Sequence, residues 1–130
     1  MNENINWNNI LINSSEKGDL EGVKKAIEQG ADVHSHYDYS LRRASFEGHL
    51  PVVKYLVEQG ADVHAENDES LICASEQGHL PVVKYLVSVY EERRKFRELL
   101  NVYDELPKKT QEYIDEKYPW LQSAADQNLI

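Results

Sequence analysis

Ten residues, GHLPVVKYLV, occur twice without a change, at Gly48 to Val57 and at Gly78 to Val87. Seven others, EQGADVH, also occur twice, at Glu28 to His34 and at Glu58 to His64. Both pairs are offset by thirty residues. A period between roughly 20 and 50 residues specifies stacked supersecondary units rather than one closed core. A unit this short cannot bury enough surface alone to offset the entropy of ordering its chain. Neighbouring units must therefore cover each other's apolar faces. Roughly three units suffice for a stable stack, and three can be aligned here.

Aligned at the thirty-residue offset, Asn8, Asp38 and Asp68 share a column and are expected to cap a first helix by accepting first-turn N–H groups. Leu11, Leu41 and Leu71 follow, then Ser14, Ala44 and Ala74, then Ser15, Ser45 and Ser75. Gly18, Gly48 and Gly78 close the segment, where a glycine takes positive φ without steric cost. The pattern predicts a first helix of about two turns. A second helix is expected at Leu50 to Gln59, with Pro51 tolerated in its first turn and Gly60 ending it. Its stripe is Leu50, Val53, Leu56 and Val57; in the first unit, from Leu20 to Gln29, it is Leu20, Val23, Ala26 and Ile27.

The period breaks after Val87. The chain continues as SVYEERRKFRELLNVYDEL, with neither glycine nor proline before Pro107. Helical spacing of Leu86, Val89 and Tyr90, then Phe96, Leu99, Leu100, Tyr103 and Leu106, predicts that the helix runs on or restarts after a kink near Glu91 to Lys95. Another helix fits Lys108 to Lys117, stopped by Pro119, and Trp120, Leu121 and a frayed tail to Ile130 follow. A stack needs a modified end unit to stay soluble, and Tyr90, Phe96, Tyr103, Tyr113, Tyr118 and Trp120 could supply that cover.

The run GHLPVVKYLVEQGADVH resembles the second half of an ankyrin repeat, and the likeness covers roughly residues 5–87. The usual unit is about 33 residues and opens on T-P-L-H-x-A; here it is three residues shorter, and the opening reads Tyr39-Ser40-Leu41-Arg42 and Glu69-Ser70-Leu71-Ile72. The shortening falls in the turn between units, and Asp38 and Asp68 stand in for the threonine cap. This compact form is similar to ankyrin proteins of giant DNA viruses of amoebae. The resemblance implies an all-α, ankyrin-type solenoid of three short helix-turn-helix repeats with a helical C-terminal cap. The expected division is residues 1–87 for the repeats (about 5–34, 35–64 and 65–87) and 88–130 for the capping extension.

It also implies non-catalytic binding of a protein partner on the concave face. Comparing the repeats separates scaffold from specialisation. Leu41, Ala44, Ser45 and Gly48 occupy kept positions, whereas Tyr39, Arg42, Arg43 and Phe46 vary together on the opposite helical face. With Trp7 and Tyr37 from the turns they make a patch of the residue types enriched at binding hot spots. Glu66, Glu69, Ile72 and Glu76 border it in the third repeat. The alternatives are drift at exposed positions, or partial burial of Arg42 and Ile72 between units.

Two other functions compete. Leu106-Pro107 with Tyr113-Ile114 bears a faint resemblance to the opening of an F-box, although too few residues follow. That reading makes the chain an adaptor whose C-terminal helices recruit a second, host, ubiquitin-ligase-like complex. The other is self-association through the aromatic C-terminal helices; a monomer is the simpler expectation.

Composition narrows the rest. Residues 1–87 carry 14 acids against 7 bases, which disfavours phosphate backbones and hence nucleic-acid binding. No apolar run approaches the roughly 20 residues of a membrane span, and MNENINWNNI lacks the pattern of a secretory signal. Cys73 is the single cysteine, which fits a reducing intracellular, cytoplasmic setting. His34 with His64, and His49 with His79, are repeat-equivalent. They would lie about a helix-packing distance of 10 Å apart, too far to share one metal ion. No metal, cofactor or catalytic residue is therefore expected.

Overall fold

The computed structural model describes residues 4–130. Among them the chain is all-helical: α1 (Trp7–Lys17), α2 (Leu20–Glu28), α3 (Ser35–Glu47), α4 (Leu50–Glu58), α5 (Ala65–Glu76), α6 (Leu80–Glu92), α7 (Phe96–Tyr103), α8 (Lys108–Lys117) and α9 (Leu121–Asp126). Three hairpins, α1–α2, α3–α4 and α5–α6, stack along one axis. Helices α1, α3 and α5 form one layer and pack side by side more closely than α2, α4 and α6 in the other. The apolar columns read from the repeat are the core. Leu11, Leu41 and Leu71 are fully buried, as are Val53, Val83, Leu56 and Leu86. Burying one such leucine contributes roughly 1.5–3 kcal/mol.

The hairpins are punctuated as the glycines require. Gly18, Gly48 and Gly78 adopt φ of 75°, 79° and 76°. Gly18 and Gly48 have a second constraint: a Cβ would come within 2.6 Å of Nδ1 of His49 and 2.5 Å of Nδ1 of His79, respectively. Each imidazole lies on the glycine of the preceding repeat. Its Nε2 donates to the last turn of that repeat's first helix, His49 to the Glu16 carbonyl at 2.9 Å and His79 to the Phe46 carbonyl at 2.8 Å. A carbonyl can only accept, so both rings carry their proton on Nε2.

The Asn8, Asp38, Asp68 column behaves differently from the expected cap. Asn8 lies inside α1, whose N-cap is Asn6, accepting from the Asn9 N–H at 3.1 Å. Asn8 Oδ1 instead accepts from the Asp32 N–H at 2.7 Å, and Asp38 Oδ1 accepts from the Asp62 N–H at 2.9 Å. These are links to the next turn, 24 residues on. In the second and third repeats the backbone also departs from a regular helix: His36, Tyr37 and Asp38, and again Glu66, Asn67 and Asp68, adopt left-handed helical angles with φ between 54° and 61°. One left-handed turn thus precedes the regular part of α3 and of α5. Such a conformation costs non-glycine residues about 1–2 kcal/mol each.

The C-terminal segment continues the stack with altered parts. Helix α6 runs through residue 87 to Glu92 without a break, one turn longer than α4. It then ends in the same motif. Ala31 and Ala61 N–H bond back to Ala26 and Leu56 carbonyls, and Lys95 N–H bonds to the Tyr90 carbonyl at 2.7 Å. The positive-φ position held by Gly30 and Gly60 is taken by Arg94, at φ 55°. Tyr90, fully buried, donates its hydroxyl to Asp68 Oδ1 and meets the His64 ring edge-on at 4.9 Å. A phenol thereby supplies to Asp68 the donor that a backbone N–H supplies to Asn8 and Asp38. Helix α7 packs on α5 and α6, and α9 packs on α7. The tail expected to fray after Trp120 forms α9 instead, anchored by buried Leu121.

Candidate functional site

Tyr39, Arg42, Arg43 and Phe46 project from the free face of α3, and they line one shallow cleft of about 220 Å³ with Glu69 and Cys73 of α5. The helix places them there because their partners in the turn, Leu41, Ala44 and Ser45, are fully buried. All four are half-buried, so the cleft has walls of defined shape.

Both arginines are held by neighbours. Arg42 donates Nε to the Tyr37 carbonyl and a terminal nitrogen to the His36 carbonyl, each at 3.0 Å, and pairs with Glu69 of the next repeat. It thus satisfies the carbonyls of the left-handed turn and bridges two repeats. Its guanidinium also lies 5.1 Å from the Tyr39 ring centroid. Arg43 bridges the other way, to Glu16 at 3.2 Å, pairs with Glu47 at 2.9 Å and covers the Phe46 ring at 4.7 Å. Their charges are largely neutralised within the protein, and what they present outward is planar guanidinium and aromatic surface.

Tyr37 is the most accessible of the patch. Its side chain is 75% exposed at the tip of the left-handed turn. Trp7 stands apart from the cleft. It is half-buried against the core and borders a separate depression with Asn6, Asn8, Gln29 and Gly30. Glu66 and Glu76 are exposed, Glu69 is tied to Arg42, and Ile72 is half-buried against the core. Cys73, which varies between repeats in the column of Asn13 and Arg43, also lines the cleft. Burial, and next the carboxylates of Glu69 and Glu76, push its thiol pKa upward, opposite to the shift that activates a nucleophile.

The histidines are occupied structurally. His34 and His64 place Nδ1 at 2.9 and 2.7 Å from Asp38 and Asp68, and His49 and His79 bind carbonyls as described. Among the described residues no three histidine, cysteine or carboxylate side chains are grouped as metal ligands would be. No helix among them is long and apolar enough to cross a membrane.

Two layers of antiparallel helix pairs, stacked at a thirty-residue period with glycine at each hairpin, define a helical repeat solenoid. The family model described as ankyrin repeats (3 copies) matches residues 8–95, more than half of the chain, and the protein belongs to that family. A search of the curated proteins gives no match. Ankyrin repeats generally mediate protein–protein interaction.

Proposed function

We propose that this chain is a non-catalytic binding module that holds a protein partner on the face formed by α1, α3 and α5. The observation that carries the reading is Tyr37. A large aromatic side chain stands three-quarters exposed at a left-handed backbone position where glycine would relieve strain. The backbone conformation recurs at Asn67, so what sets this repeat apart is the exposed aromatic ring, a residue type enriched at binding hot spots. Beside it, the cleft of Tyr39, Arg42, Arg43 and Phe46 offers aromatic and guanidinium surface bordered by Glu66, Glu69, Ile72 and Glu76. Closer packing of α1, α3 and α5 than of the other layer supports a concave curvature on this side. Trp7 extends the face at its N-terminal end.

Residues 88–130 serve in this reading to cap the stack, because Tyr90 completes the Asp68 link and α7 covers α5. The protein acts as a monomer, with no cofactor and no nucleic acid. We further propose, from the resemblance of the compact thirty-residue unit alone, a viral chain that meets a host protein inside the cell. The test is a pull-down from host lysate with the wild type, Tyr37→Gly and Phe46→Ala. Arg42 is left intact because it holds the turn. A partner kept by the wild type and lost from both variants supports the proposal; equal capture by all three removes it. Static light scattering at two concentrations checks the monomer.

A further inference from the structure

The internal contacts of the stack form columns, and the columns do not all end at the same place. One is a cation–aromatic column. Lys24 lies 5.6 Å from the Tyr55 ring centroid, Lys54 lies 5.7 Å from Tyr85, and Lys84 lies 5.6 Å from Tyr113 of α8. Tyr113 of α8 therefore continues this column past the third repeat. The histidine column stops one step earlier. His49 lies on Gly18 and bonds the Glu16 carbonyl; His79 lies on Gly48 and bonds the Phe46 carbonyl. The next seat in this series is Gly78 with the Glu76 carbonyl. No atom comes within 4 Å of where a Gly78 Cβ would stand.

A cleft of about 540 Å³ opens at this place, between the α5–α6 turn and α8. Leu80 forms part of its wall and is 47% exposed, whereas its repeat equivalents Leu20 and Leu50 are half-buried against the core. Lys84 and Lys109 face Glu112 and Glu116 around it, so neither an anion nor a cation is favoured. What the site offers is a glycine floor, an apolar wall and a carbonyl acceptor.

We propose that this cleft is a second binding site, which accepts a histidine side chain from a partner's helix start. The molecule itself displays the occupant twice. An imidazole lies on the glycine, its Nε2–H donates to the carbonyl two residues before that glycine, and an apolar residue follows the histidine to cover the leucine. A partner segment carrying histidine and then leucine at the opening of a helix reproduces that contact on Gly78, Glu76 and Leu80. The site lies at the α5–α6 turn of the third repeat and shares no lining residue with the cleft beside Tyr37, Glu76 contributing here only its backbone carbonyl.

The probe is a synthetic peptide copying residues 48–57, titrated at pH 7.5 into the full chain labelled with nitrogen-15 and carbon-13. Expected are progressive shifts of the Gln77, Gly78 and Leu80 amides and of the Glu76 carbonyl. The same peptide with alanine for histidine should bind about tenfold more weakly, the ratio that one such hydrogen bond supports. Gly78→Ala, which sets a methyl in the ring's place, should abolish the shifts. Should its positive φ unfold that variant, Leu80→Lys, at an exposed position, tests the same cleft. Equal shifts from both peptides, shifts confined to other residues, or no shift at millimolar peptide would overturn the proposal. So would concentration-dependent shifts of the same resonances without peptide, which would assign the cleft to a second copy of the chain.

Discussion

Removing one oxygen atom tests how the stack is closed. In Tyr90→Phe the ring still fills its fully buried site, but Asp68 loses the hydroxyl that takes the place of a backbone donor. A hydrogen bond to a charged acceptor contributes about 1.5–3 kcal/mol. Asp68 keeps His64 at 2.7 Å and its side chain is 16% exposed, so it is not left wholly unsatisfied. The lower part of that range is therefore expected, about 1.5–2 kcal/mol. Urea unfolding followed by circular dichroism measures it. Asp68→Ala, alone and combined with Tyr90→Phe, completes a double-mutant cycle whose coupling should be about 1 kcal/mol or more.

Alkaline pH gives an independent reading. Burial first, and the Asp68 bond second, raise the Tyr90 pKa above its ordinary 10.0. The unfolded chain then loses this proton before the folded one does. The contribution is whole below pH 10 and declines as pH rises beyond it. Tyr103, raised to about 12 by burial and by Asp115, adds loss between pH 10 and 12 by the same sign. Stability of Tyr90→Phe should consequently fall less steeply above pH 10 than that of the wild type. A variant within about 0.5 kcal/mol of wild type at neutral pH, with an unchanged alkaline slope, would refute the idea that Tyr90 completes the column.

Three further outcomes follow from the backbone and the glycines. Arg94→Gly, at φ 55° where Gly30 and Gly60 stand in the earlier repeats, should raise stability by about 1 kcal/mol in thermal or urea unfolding. Gly48→Ala should lower it by roughly 2 kcal/mol, because the methyl meets His79 and φ is 79°; adding His79→Ala should recover part of that loss. Truncation after residue 87 removes Val89, Tyr90 and the α7 cover, leaving buried Leu86 and Val87 open. The product should unfold or aggregate, measurable by circular dichroism and light scattering, and a soluble folded remnant would count against the capping role of residues 88–130.

Much of the fold was legible because a repeat compares itself. Kept positions such as Leu41, Ala44 and Ser45 stand out against those that vary, and they are buried, while the kept Gly48 answers to its positive φ. The bounds of α4 and α8 follow from Pro51, Gly60, Pro107 and Pro119, whose backbone constraints act locally. The varying face of α3 was legible for the same reason, and its four residues do line one cleft. That Cys73 shares this face follows from its column with Arg43; that Trp7 stands outside the cleft, and that Glu69 reaches Arg42 across it, was not legible. Both depend on how far adjacent repeats are displaced and turned.

The Asp38 and Asp68 reading failed in an instructive way. An aspartate before a helix is a good cap by local preference, but Asp38 accepts from the next turn, as Asn8 does from within a regular helix, and Asp68 accepts from Tyr90. No local rule forces three non-glycine residues into a left-handed turn. Partners distant in sequence meet it, the Asp62 N–H on Asp38 and Tyr90 on Asp68, and Arg42, five and six residues on, binds the turn carbonyls in the second repeat. Sequence by itself determined the period, the helices and which faces would be covered, since these follow from propensity and apolar spacing within about thirty residues. Only the tertiary structure decided the links between repeats, the substitution of a phenol for a backbone donor at the last one, and the cleft at Gly78 where the histidine column stops. Those depend on groups 22–33 residues apart brought within a hydrogen bond's reach by stacking.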